Sequence, residues 1–114
     1  MITFKKYLAE ANNNLGATDL VKKIGVTRMR AMTKHPWYQH YIRDYTGTKP
    51  VAYVHNKGNL NHKVMASADG RTMVEFNFWN YKVQNAHLYK WDGQSRTLSG
   101  NKMWEHKRSY REDE

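Results

Sequence analysis

The sequence predicts an α+β domain, with a helical N-terminal half packed on an antiparallel β-meander of four to five strands. Three observations carry that prediction. Apolar residues recur at three- and four-residue spacings as far as Tyr45. From residue 51 the texture changes to short runs rich in Val and aromatics. Those runs are separated by Lys57-Gly58-Asn59, Asp69-Gly70, Asn80 and Asp92-Gly93, which favour tight turns. A chain of 114 residues accommodates one such domain with a modest core.

The elements follow in order. Residues 3 to 10 read as a short helix: Thr3 can cap it, and Phe4, Tyr7, Leu8 and Ala11 share one face. Asn12-Asn13-Asn14-Leu15-Gly16 then breaks the helix, because Asn and Gly favour turns. Residues 1–10 are therefore a separable unit, and 11–114 form a single domain. A second helix is expected over 18–24, capped by Thr18 or Asp19 and ended by Gly25. Thr27 is expected to cap a third, Thr27 to His35. Pro36 suits a first helical turn, which allows a fourth helix over 37–45. In the β half, Val74, Phe76 and Phe78 alternate against Glu75 and Asn77. The fourth strand changes phase, with Tyr81 and Val83 in one register and Ala86 and Leu88 in the other. A bulge near Asn85 reconciles them. A short fifth strand is expected to include Arg96 to Leu98, and the charged tail from Glu105 is expected to fray.

Composition narrows the chemistry. The chain has no cysteine, so it can form no disulfide, thiolate metal site or cysteine nucleophile. No apolar run approaches the roughly 20 residues of a membrane-spanning helix. Lys5 and Lys6 interrupt the opening block, which therefore does not read as a secretory signal. The formal charge of +9 predicts an anionic partner, of which nucleic acid is the commonest. The charge concentrates between residues 17 and 49, where Lys22, Lys23, Arg28, Arg30, Lys34, Arg43 and Lys49 face only Asp19 and Asp44. Lys22, Lys23, Arg28, Arg30, Lys34 and Arg43 are the candidate nucleic-acid-binding residues. Trp37, Tyr38 and Tyr41 interleave with them as core residues or as base-stacking platforms.

Catalytic and metal motifs are weak. His35 and His40 are five apart, whereas helical ligand pairs sit four apart. His55 and His62 can meet across a hairpin but lack an obvious acidic partner. Between residues 19 and 75 the only carboxylates are Asp19, Asp44, Asp69 and Glu75. Two of them read as a cap and a turn, which argues against paired-carboxylate chemistry. No metal or cofactor is expected. The stretch from Asp19 to Thr33 is similar to a helix-turn-helix core, with Gly25-Val26-Thr27 as the turn and Arg28 and Arg30 opening the reading helix. Two positions depart from that pattern: Val21 stands where alanine is preferred, and Lys34 where a buried apolar residue is expected.

The opening block MITFKKYLAE, followed by Ala11, resembles the short capsid-targeting leader of the internal head proteins of T-even-type tailed phages. In that family the leader ends in Ile or Leu, any residue, then Glu, and the prohead protease cuts after the glutamate. Leu8, Glu10 and Ala11 match that processing site, Phe4, Tyr7 and Leu8 match the family's aromatic and aliphatic leader positions, and Thr3 matches a polar one. The resemblance covers about a tenth of the chain. It implies a non-enzymatic protein located inside the capsid and then in the host cytoplasm. It also implies duplex DNA as a partner, a prohead protease or scaffold acting through residues 1–10, and inhibition of a host defence enzyme. Removing the leader leaves a charge of +8, suited to lying among DNA phosphates.

Two alternatives stay open. One is a helix-turn-helix DNA-binding regulator. The other is a ribonuclease toxin of the RelE-like type, which is also basic, with helices packed on an antiparallel sheet. In that family Lys, Arg, Tyr or His on the sheet do the acid–base work, and Arg71, Lys82, His87 and Tyr89 can be cast in those roles.

Overall fold

A computed structural model describes residues 17–42, 53–57 and 61–111, with side chains over 20–42 and 62–111. The leader, its processing site, its Asn-rich joint and Arg43 lie outside the described residues, and the side chains of Thr18 and Asp19 lie outside the described side chains. Two helices lead: α1 (Ala17–Ile24) and α2 (Val26–Lys34). A π-helical turn follows at Tyr38–Ile42. Five antiparallel strands complete the order: β1 (Tyr53–Lys57), β2 (Asn61–Ser67), β3 (Thr72–Trp79), β4 (Lys82–Lys90) and β5 (Glu105–Ser109). Each strand pairs with the next in sequence, so the sheet is a simple meander. The α+β expectation holds.

The helices are joined by a single residue. Gly25 adopts φ +87°, a region that side chains with a Cβ rarely enter. Its N–H donates to Val21 O at 2.7 Å, closing α1, while its carbonyl accepts from Met29 N at 3.0 Å, opening α2. The expected Thr27 cap is therefore not used: α2 begins at Val26, with Gly25 at its N-cap and no side-chain cap bond. A helix-turn-helix needs a turn of about three to four residues between its helices. Gly25 alone does not provide one.

Both helices and the π turn pack on one face of the sheet. Leu20, Ile24, Met32, Trp37, Tyr38 and Ile42 bury against Val64, Ala66, Val74, Phe76, Phe78, Ala86 and Leu88. At about 1.5–3 kcal/mol per large apolar side chain, this contact is the main favourable term of the fold. Trp37 and Tyr38 thus serve the core. Tyr41, partly buried, packs against it, and its ring meets Trp37 edge-on. The fourth helix expected over 37–45 is replaced at Tyr38–Ile42 by the π turn, which seats buried Tyr38 and Ile42 on the sheet side.

The expected bulge in β4 is present. Asn77 pairs with Asn85 and Phe78 with Val83, so Gln84 is the extra residue. Val83 can then join Ala86 and Leu88 on the core face. The fifth strand differs from expectation. Arg96 makes only an isolated bridge with Lys102. The true β5 is Glu105–Ser109, within the segment expected to fray. Its order follows from pairing to β4 and from Tyr110, which packs on the core. The Tyr110 ring lies 4.4 Å from that of His35 and 5.3 Å from that of Trp37, and its N–H donates to Ala86 O.

Candidate functional site

Two surfaces carry polar chemistry: the exposed side of the helices and the outer face of the sheet. On the helices, Lys22, Lys23, Arg30 and Lys34 are exposed. Arg30 and Lys34 are four apart and share a face of α2. Arg28 is not part of this surface. It is buried, its Nε donating to Asn80 O at 2.7 Å and its Nη1 to Ile24 O at 3.0 Å. Its guanidinium also lies 4.7 Å from the centre of the Tyr81 ring. Arg28 therefore closes the last turn of α1 and ties the helices to the β3–β4 turn. Its placement in a nucleic-acid-binding cluster is corrected by that burial.

The outer face of the sheet follows from strand alternation. Opposite the core residues Val74, Phe76 and Phe78, β3 presents Met73, Glu75 and Asn77. Across from them in register stand Tyr89, His87 and Asn85 of β4. Part of this face is dry: Met65 and Met73 are buried under Tyr89 and Trp104. Glu75 is also buried, and Asn77 Nδ2 donates to its Oε2 at 3.3 Å. Asn77 Nδ2 also donates to Asn85 Oδ1. Burial, and then the Glu75 charge, push the Tyr89 phenol above its ordinary range.

The segment after β4 covers the end of this face nearest the β2–β3 turn. Lys102 Nζ donates to Gly70 O at 2.8 Å and lies over both Trp91 and Trp104. Burial is the first cause that lowers its pKa. Asp92 anchors the start of the segment: its carboxylate is held down to about 2, first by the Ser95 hydroxyl and then by the Ser95 and Gln94 amides.

The outer face continues onto β5. His87 Nδ1 lies 2.7 Å from Ser109 Oγ, which is 3.4 Å from His106 Nε2. The two imidazole rings are 5.5 Å apart, and the His106 ring meets Tyr89 edge-on at 5.4 Å. This trio mixes two proton-transfer groups with a hydroxyl on an open surface. Of the residues cast in ribonuclease roles, His87, Tyr89 and Lys82 lie on the outer side of β4, with Lys82 paired to Trp79 at the start of that strand. Arg71 sits in the β2–β3 turn at the other end of β3, which at about 3.4 Å per residue is roughly 25 Å from Lys82. Sequence reasoning missed Glu75, His106 and Ser109 as members of one cluster.

No family model, no curated protein and no solved structure matches this chain. Among the described residues, no helix is long and apolar enough to cross a membrane.

Proposed function

We propose that this chain is an internal head protein of a tailed phage that binds duplex DNA without sequence preference. One observation carries the binding part: Lys22, Lys23, Arg30 and Lys34 are exposed on two adjacent helices. The packaging part rests on the leader-like Leu8-Ala9-Glu10 before Ala11. Such a protein enters the host with the genome, and inhibition of a host defence enzyme extends the same proposal.

The test is the salt dependence of binding. Each neutralised phosphate contributes a log–log slope of about −0.9, so engagement of all four cations gives roughly −3 to −4. Fluorescence anisotropy with duplexes of unrelated sequence should return the same affinity and the same slope. Arg30→Glu with Lys34→Glu should weaken binding to every duplex alike. A flat salt response, or loss confined to one sequence, sinks the proposal.

A further inference from the structure

The β3–β4 turn carries an aromatic ring that neither the turn nor the core requires. Trp79 pairs with Lys82, so the loop between them is only Asn80 and Tyr81. Asn80 takes φ +55°, a region that asparagine enters more readily than most residues. The second position of a two-residue loop is commonly glycine. Here it is Tyr81, which is 59% exposed. The Arg28 guanidinium lies over one face of that ring, 4.7 Å from its centre. Arg28 is itself buried and held by Asn80 O and Ile24 O, so the ring rests on a fixed support. Its other face is open to solvent. Through Arg28 the ring is tied to Ile24, the end of α1, whose last turn carries the exposed Lys22 and Lys23. Tyr81 therefore stands on the helix side of the sheet, beside the cations proposed to hold DNA. Trp79 is the contrast. It is 47% exposed but follows the core residue Phe78, so alternation sends it to the outer side with Lys82 across from it. Trp37 and Tyr38, which interleave with the helix cations in sequence, are buried and closed to a base.

We propose that Tyr81 is a stacking platform for an unpaired base, so that the helix surface prefers DNA carrying a single-stranded segment over continuous duplex. The proposal rests on the reading of that surface as DNA-binding and names the form of DNA it takes. In a continuous duplex the bases are stacked on one another and offer no free face to a side chain. An unpaired base does, and every base has such a face, so stacking adds affinity without adding sequence preference. The phosphates beside that base meet Lys22 and Lys23, which supply the charge complement of the site. The Arg28 charge beneath the ring adds a cation–π contact that holds the platform flat against the end of α1. Duplex binding by the helix cations and base stacking by Tyr81 are then separable contributions at one surface.

The experiment uses the full chain and fluorescence anisotropy with three probes: a blunt duplex, the same duplex with a short single-stranded overhang, and that overhang made of abasic sugars. The abasic copy keeps the phosphates and removes the bases. The natural overhang should bind roughly tenfold tighter than the abasic one, the effect of stacking one base. That ratio should be the same at low and high salt, because stacking releases no counterions. Tyr81→Ala should abolish the ratio and leave the affinity and salt slope for the blunt duplex unchanged. Tyr81→Leu, which keeps apolar bulk over Arg28, should behave like Tyr81→Ala, and Tyr81→Phe should keep the ratio. Trp79→Ala, an equally drastic loss on the outer side, should change nothing. Urea unfolding verifies that each variant is folded under the assay conditions. Equal binding of natural and abasic overhangs, with the salt slope intact, refutes the platform and leaves the DNA reading standing. A natural overhang that is bound while the blunt duplex is not upholds the platform and removes the duplex reading. A ratio that survives in both Tyr81→Ala and Tyr81→Leu, or that is lost in Tyr81→Phe or Trp79→Ala, overturns the inference, and failure to bind any probe overturns both.

Discussion

Arg28 shows how one side chain can be misassigned by charge alone. In the sequence it is one of several cations in a helical stretch. In the fold it satisfies Ile24 O at the end of α1 and Asn80 O in the β3–β4 turn. Hydrogen bonds from a charged donor are worth about 1.5–3 kcal/mol, so Arg28→Ala should cost about 2–4 kcal/mol in urea unfolding. The folded fraction of that variant should still bind DNA with nearly the parental salt slope. A variant of unchanged stability and lost binding would return Arg28 to the surface cluster. His35 offers a second residue-scale test. Its ring sits among Trp37, Phe76 and Tyr110, and its Nδ1 accepts the Trp37 N–H at 3.0 Å. Burial lowers its pKa below 6.5. His62, lowered by burial and then by the Arg28 charge, acts in the same direction. Below 6.5 the unfolded chain binds the protons that these folded rings refuse, so stability rises with pH through that window. Urea midpoints should be flat above pH 6.5 and fall below it, and His35→Asn, which keeps an acceptor, should reduce the fall. A midpoint that rises on acidification contradicts the assignment.

At the scale of elements, β5 is the informative case. Truncation after Trp104 removes its pairing with β4 and takes Tyr110 from the core beside His35 and Trp37. Losing that aromatic burial alone should lower stability by at least about 2 kcal/mol, read as a shift of the urea midpoint. The uncovered edge of β4 should also promote aggregation. A tail that merely frays would lose neither, so an unchanged midpoint returns residues 105–111 to that status. The strands up to β4 were legible because physical signals marked them. Gly70 and Gly93 take positive φ in the Asp-Gly turns, and every second residue of β3, Val74, Phe76 and Phe78, joins the helix-covered core. The bulge beside Asn85 was legible because Val83 and Ala86, both apolar, are three apart. In β5, Arg108 pairs with Leu88 and His106 with Tyr89, leaving Lys107 as an extra residue. That bulge was not legible, since Glu105-His106-Lys107-Arg108-Ser109 is polar throughout and offers no phase to read. The candidate site divides the same way: alternation places Glu75 opposite the core face of β3, but only the Lys107 bulge brings His106 and Ser109 to His87. The shared Gly25 was half legible, since glycine ends α1 as expected while also opening α2 without the Thr27 cap.

At the scale of the whole molecule, the distribution of apolar surface separates an address from a structural element. The main described core draws its buried residues from Leu20 to Leu88, with Tyr110 packed against it. The leader carries three large apolar side chains of its own, Phe4, Tyr7 and Leu8. Burying them could contribute about 1.5–3 kcal/mol each before ordering costs, either on a capsid scaffold or protease or on this fold. The two destinations predict different molecules. If residues 1–10 are an address, a chain beginning at Ala11 keeps its urea midpoint and its near-UV signal. If they belong to the core, the same chain loses several kcal/mol. Processing adds a second measurement. Protein recovered from particles should have the intact mass of a chain starting at Ala11, and Glu10→Ala should leave the leader attached. Because the cut removes Lys5, Lys6 and Glu10, the mature chain retains a charge of +8, so its salt-dependent DNA binding should match that of the full chain closely. Protein from particles that still begins at Met1, together with a destabilised Ala11 chain, would place the leader in the fold and remove the capsid-targeting proposal.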